Sequence, residues 1–260
     1  MYAHHREALK AVTKKLGAED DVMGVILTGS VAHGCALENS DVDIFIVYSD
    51  EEFSRRLAAE DVGYFDTECT DYEGGYIDGR AASAEFLRQV AARGSEPARY
   101  AFRGADVTFD RLGGLDELVR RAGEYPEEQR SANIEKFYAQ FKTWRWYYYE
   151  ALRRESRYLM EVSALNYTLF AGRLILAYNH MLYPGHKWLT RELDRAELKP
   201  LGFTSCLNGT LEQKRAENIE RLYNLVRDFA DWPETKRWSL RFILDSELGW
   251  LSGSPPMSDI

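Results

Sequence analysis

Residues 25–49 read VILTGSVAHGCALENSDVDIFIVYS, and this stretch decides the fold. An apolar run, Val25 to Leu27, ends at Gly29-Ser30. Ten residues follow (31–40), and Asp41 and Asp43 then flank Val42 at the head of a second apolar run, Ile44 to Val47. Short apolar runs bounded by glycine and polar residues read as buried strands. Side chains alternate faces along a strand, so Asp41 and Asp43 point the same way. Carboxylates crowded on one face repel each other unless a cation lies between them. A hard divalent ion with oxygen ligands meets that need, and Mg2+ commonly shares such carboxylates with substrate phosphates. At the other end of the stretch, Gly29 lets the backbone approach a ligand closely, and Ser30 offers a hydroxyl and a backbone N–H to a phosphate. A short helix opening within 31–36 would add its positive dipole end to that anion site.

The rest of the composition sets limits on this reading. At 260 residues, 45% apolar and 29% charged, the chain has the make-up of one or two globular domains. A net charge of -9 disfavours a sequence-independent grip on nucleic acid, which needs clustered Lys and Arg. Cys35, Cys69 and Cys206 are few and widely spaced, without metal-finger spacing, which fits a reducing cytoplasm. The start, MYAHHREALKAVTKK, is too polar for a signal peptide, and no apolar run approaches a membrane span. The expected location is therefore cytoplasmic, with no membrane partner.

With Leu27-Thr28-Gly29-Ser30 and Asp41-Val42-Asp43-Ile44 in place, the stretch resembles the signature of the DNA-polymerase-beta-like nucleotidyltransferase superfamily. The finer pattern, Gly-Ser-x-Ala-x-Gly followed by Ser40-Asp41-x-Asp43, is similar to its minimal and aminoglycoside-type branches. His33 stands where those branches often carry Arg, which puts one phosphate contact in doubt. The resemblance implies a small mixed sheet with helices on one side and two Mg2+ ions bridging carboxylates and a nucleoside triphosphate. Gly29 and Ser30 would then hold phosphates, and Asp41 and Asp43 the metals. This agrees with the residue chemistry, since a two-metal clamp neutralises both the attacking and the leaving oxygen of an in-line displacement.

The family also uses a third carboxylate from a later strand. Residues 62–83 read as a hairpin turning at 71–75, with Asp66 and Asp78 within its strands. Asp78, between Ile77 and Gly79, resembles the family's strand carboxylate more closely than Asp66 does. It would accept the acceptor hydroxyl's proton and share in metal binding. Arg80, two residues on, faces the same way and is either a salt-bridge partner or a phosphate contact.

Other elements are legible around this centre. Helical spacing of Ala8, Leu9, Val12 and Leu16 predicts a first helix to about Gly17. His4 and His5 lie at its start, where a metal role is disfavoured because adjacent helical side chains diverge. A helix over 84–93, a short helix holding Pro97, a strand over 105–110 and a helix to about 122 complete a catalytic domain. Arg99 and Arg103 read as surface or fold-stabilising residues, and Asp110 as the start of the next helix.

After GEYPEEQR the character changes to nearly all helix. The run Trp144, Trp146, Tyr147, Tyr148, Tyr149 covers most of a helix circumference. Those rings pack a core, or some of them wall a cleft that attracts ammonium groups. Glu150 would be an acid in that cleft or a solvated residue. Residues 161–182 read as the most buried helix, YPGHKWL at 183–189 breaks it, and a final helical pair is expected at 209–232 and 236–250. Lys187 resembles a lysine that reaches the triphosphate in two-domain relatives, and is otherwise an ordinary surface lysine; His186 reads as incidental.

The fold class expected is α+β: a nucleotidyltransferase domain over 1–125, an α-helical substrate-binding bundle over 126–250 and a disordered tail over 251–260. The expected function is Mg2+-dependent transfer of a nucleoside monophosphate, AMP from ATP, to a hydroxyl of a small molecule such as an aminoglycoside-like compound, releasing pyrophosphate. The alternative is an antitoxin or nucleotide-binding interaction module of the minimal type, which also modifies a protein in some cases. A nucleic-acid-tailing enzyme ranks third because no basic stripe is present.

Overall fold

The computed structural model describes residues 1–233 and 237–253, and the chain forms two compact units, Met1–Tyr125 and Pro126–Ile260. In the first unit, α1 (Ala3–Gly17) leads into β1 (Val22–Leu27), a single-turn helix α2 (Gly29–Ala32) and β2 (Val42–Tyr48). The chain continues through α3 (Asp50–Ala58), β3 (Gly63–Asp66), β4 (Ile77–Ser83), α4 (Ala84–Arg93), α5 (Glu96–Phe102), β5 (Asp106–Asp110) and α6 (Leu115–Ala122). The five strands form one mixed sheet in the order β3-β4-β2-β1-β5. Only β2 and β4 run parallel; β1 pairs antiparallel with β2 and β5, and β3 with β4.

Alternation along β1 explains why the sheet is central. Val25 and Leu27 face a core shared with Ala8, Leu9, Val12 and Leu16 of α1. Ile26 faces the opposite core, with Leu87 and Val90 of α4 and Leu115 and Val119 of α6. Both faces of the sheet are therefore covered, which corrects the one-sided arrangement that the family resemblance implies. Val, Ile and Leu fill both sides of β1, while on β2 Val42, Ile44 and Ile46 face the α1 core and Val47 the opposite one. Each fully buried side chain of this size contributes about 1.5–3 kcal/mol. Arg99 is buried on α5 and donates to the carbonyls of Ala91, Gly94 and Glu124, so it ties three segments of the unit together. Asp110 accepts from the N–H groups of Leu112, Gly113 and Leu115, which starts α6.

The second unit is helical among its described residues: α7 (Glu127–Arg153), α8 (Arg157–Tyr178), α9 (Leu189–Arg195), α10 (Phe203–Glu212), α11 (Ala216–Arg227) and α12 (Trp238–Asp245), with a 3-10 turn at His186–Trp188. α7 and α8 pack through aromatic faces, with Phe141 stacked on Tyr167 at 4.6 Å. The aromatic run divides as its helical spread requires. Tyr148 is buried and its hydroxyl donates to the Lys214 carbonyl, while Trp146 is half exposed. Glu150 is bound to Arg153 and Arg154, and those bonds bring its carboxyl down to about 2.

The expected helix over 209–232 is instead two, α10 and α11, separated at Gln213–Arg215. The buried core positions of the two helices, Leu207 and Thr210 against Ile219 and Leu222, require the chain to reverse there. The last expected helix is shorter than predicted, spanning 238–245; of the tail expected to be disordered over 251–260, residues 251 and 252 instead belong to a 3-10 turn (Gly249–Ser252), and those from 254 on lie outside the described residues.

Candidate active site

Asp43 occupies the second position of β2 and is in register with Asp78 on the parallel strand β4. Registered neighbours point to the same face, so both carboxylates emerge together. Asp41 precedes β2 by one residue and shares that face by period two. Carboxylate oxygens of Asp41, Asp43 and Asp78 all lie within 4.8 Å of one another. All three are half-buried.

Glycine at position 29 is required by the closeness of this packing. Its φ is +63°, and a Cβ there would stand 1.8 Å from Asp43 Oδ2. The Thr28 N–H donates to the Asp43 carbonyl at 2.9 Å, and the Ser30 N–H donates to the Asp43 carboxylate. The turn after β1 is thus built around Asp43. α2 begins at Gly29, two residues before the expected 31–36 segment, because the chain turns directly at the carboxylate. The Ser30 hydroxyl is buried and has no protein partner among the described residues.

Electrostatically the cluster is under-compensated. Burial raises the Asp43 carboxyl, and the charges of Asp41 and Asp78 raise it further, against the lowering effects of the Ser30 N–H and Arg80. Arg80 is exposed and its Nη2 lies 3.9 Å from Asp78 Oδ2, a loose ion pair. The Tyr76 hydroxyl donates to Asp41. Sequence reasoning leaves Tyr76 unassigned, although the alternation that brings Arg80 to the face of Asp78 also brings Tyr76 there.

The other residues singled out in the sequence lie elsewhere. Asp66 is buried at the end of β3 and binds the Lys15 ammonium at 2.6 Å. It also accepts from the Tyr64 hydroxyl and from the N–H groups of Glu68 and Cys69. Burial alone would raise its carboxyl; Lys15 and the other donors outweigh that and hold it well below the usual carboxylate range. His33, at the end of α2, stacks on Tyr100 at 4.6 Å. His4 and His5 contact backbone carbonyls, of Glu38 and Ser40 respectively. Lys187 belongs to the second unit, in the 3-10 turn, with its ammonium 5.0 Å from the centre of the Trp188 ring.

Three oxygen donors of this kind suit a hard divalent cation. They also make the cluster costly without one, because like charges at this spacing disfavour full ionisation. The unpartnered Ser30 hydroxyl beside them suits a phosphate oxygen. The residues present therefore fit a metal–nucleotide pair.

Residues 5–80 match the family model described as a nucleotidyltransferase domain. The segment spans the turn at Gly29 and all three carboxylates. No curated protein matches the chain. Among solved structures it is similar to a nucleotidyltransferase-like protein from Exiguobacterium sibiricum 255-15, at 10% identity and a TM-score of 0.47, over 85% of this chain and 71% of that one. Among the described residues no helix is long and apolar enough to cross a membrane. Residues 5–80 of the first unit thus carry a nucleotidyltransferase domain, and the chain is a nucleotidyl-transferring enzyme.

Proposed function

We propose that the protein transfers AMP from Mg2+-bound ATP to a hydroxyl of a small molecule, of the aminoglycoside-like class, with release of pyrophosphate. The observation that carries this reading is the convergence of Asp41, Asp43 and Asp78 within 4.8 Å, beside the Ser30 turn. Asp41 and Asp43 would hold the divalent ions, with Asp78 completing the set. The bound metals would supply charge neutralisation on the phosphoryl oxygens.

The chain's own residues do the rest. The Ser30 hydroxyl and the backbone at Gly29–Ser30 receive the β- and γ-phosphates. In the sheet order, the phosphate turn after β1 and the third acid on β4 lie on opposite sides of Asp43. Asp78 is thereby suited to face the acceptor. It takes the hydroxyl proton as the acceptor oxygen bonds to the α-phosphorus, while the bond from that phosphorus to the pyrophosphate oxygen breaks. The helical unit, rich in aromatic faces and exposed carboxylates, serves acceptor binding.

The test is transfer of label from α-labelled ATP, with Mg2+, to a panel of hydroxylated amines. A labelled product with equimolar pyrophosphate supports the reading. Label moving only from another nucleotide, or only onto a protein, replaces ATP or the small-molecule acceptor in it.

A further inference from the structure

The three carboxylates are not held equally. Asp43 sits within β2 against Gly29, and Asp78 sits within β4. Asp41 precedes the ladder, so its position depends on what grips residues 37–42. The grip comes from α1 and from the loop at 67–76 joining β3 to β4.

Four contacts define it. The Val42 N–H donates to the Tyr76 carbonyl at 3.0 Å, and the Tyr76 hydroxyl donates to the Asp41 carboxylate. The Ser40 carbonyl accepts from the Tyr72 hydroxyl at 2.8 Å and lies 3.1 Å from His5 Nε2. A carbonyl can only accept, so Nε2 carries the proton in this contact. The Tyr72 ring packs 4.3 Å from His4 and 5.3 Å from His5, and a Cβ at Gly75 would stand 2.6 Å from that ring. The loop is tied at its root by Asp66, which receives the Glu68 and Cys69 N–H groups, and closed by Thr70 Oγ1 on the Gly75 carbonyl at 2.8 Å.

The Ser40 carbonyl lies in the rigid peptide plane that joins Ser40 to Asp41. Two donors occupying both of its lone pairs fix the rotation of that plane, and with it the direction in which Asp41 leaves the backbone. His5 is fully buried and its Nδ1 has no partner among the described residues. An apolar residue would spare the fold that cost, so the bond from His5 to the Ser40 carbonyl has a use in geometry. We propose that His5 and Tyr72 are positioning residues that clamp the Ser40 carbonyl and hold Asp41 in its metal-binding pose. This rests on the metal reading of the three carboxylates.

The test uses the full chain, Mn2+ and a nonhydrolysable ATP analogue, with bound Mn2+ measured by paramagnetic resonance and stability by thermal melting. Tyr72→Phe keeps the ring and removes only the hydroxyl. It should weaken Mn2+ binding about five- to tenfold, as expected for the loss of one hydrogen bond at the ligand, with a melting temperature within a few degrees of wild type. His5→Leu should weaken binding similarly, and His5→Gln, whose amide reaches the same carbonyl, should recover most of it. Wild-type Mn2+ affinity in both Tyr72→Phe and His5→Leu overturns the clamp. Equal weakening in His5→Gln and His5→Leu overturns the part assigned to His5. Asp41→Asn separates the two levels: if it binds Mn2+ as wild type does, the metal reading fails and the clamp with it.

Discussion

Gly29 and Asp43 touch more closely than any side chain at position 29 would allow: an added Cβ would stand 1.8 Å from the carboxylate oxygen. The backbone there is left-handed at φ +63°, which is unfavourable for any residue with a Cβ. Gly29→Ala should therefore push Asp43 out of the cluster and strain the turn. The expected result is loss of turnover by about a hundredfold or more, with a destabilisation of about 1–2 kcal/mol. Turnover and thermal melting of the purified variant check both halves, and near wild-type turnover would show that Asp43 has no fixed place in catalysis.

Asp78 and Asp66 should separate cleanly on substitution. Asp78→Asn should leave nucleotide binding largely intact and reduce turnover by about 10²–10⁴, the range for a lost general base. Asp66→Asn should lower stability first, by about 2–3 kcal/mol, because it weakens a buried carboxylate that four groups bind. Equilibrium nucleotide binding alongside denaturant unfolding distinguishes them. Loss of turnover without loss of stability in Asp66→Asn would exchange their roles.

The two acids also have opposite pH signatures. The Asp66 carboxyl is held below its ordinary value, so its contribution is full above the unfolded-state pKa and is lost as pH falls through the folded one. The Asp43 carboxyl is raised by burial and by Asp41 and Asp78, so the native state binds more protons between the unfolded and the raised value. Stability then falls as pH rises across that window and stays reduced above it. In chelator at neutral pH, Asp43→Asn should melt higher than wild type, and Mg2+ should raise the melting temperature of wild type alone. A lower melting temperature for Asp43→Asn in chelator would contradict this.

The sheet was legible where its pattern is local. Continuous apolar residues in 25–27 and 44–47 announce buried strands, and Gly-Ser after the first with Asp-x-Asp leading into the second fixes the turn between them. The approach of Asp78 to Asp43 is less direct, because it depends on the register of two strands separated by α3 and β3. Composition and period cannot state a register; a resemblance can suggest one. The division between α10 and α11 has no glycine or proline at the break, since Gln213–Arg215 are good helix formers, and only packing shows it. Tyr72 goes unassigned in the sequence, and His5 is weighed there only as a metal ligand, for a related reason. They act on the carbonyl of Ser40, and a backbone acceptor carries no mark in the sequence.

The central claim is that Asp41, Asp43 and Asp78 together bind the metal of a nucleoside triphosphate. Crystals grown with Mn2+ and a nonhydrolysable ATP analogue, measured at the manganese absorption edge, address it most directly. The account predicts an anomalous peak within about 2.3 Å of carboxylate oxygens from at least Asp41 and Asp43, with the β- and γ-phosphates on the Gly29–Ser30 turn. Nucleotide bound without manganese at these carboxylates, or manganese bound at a different cluster, would contradict it.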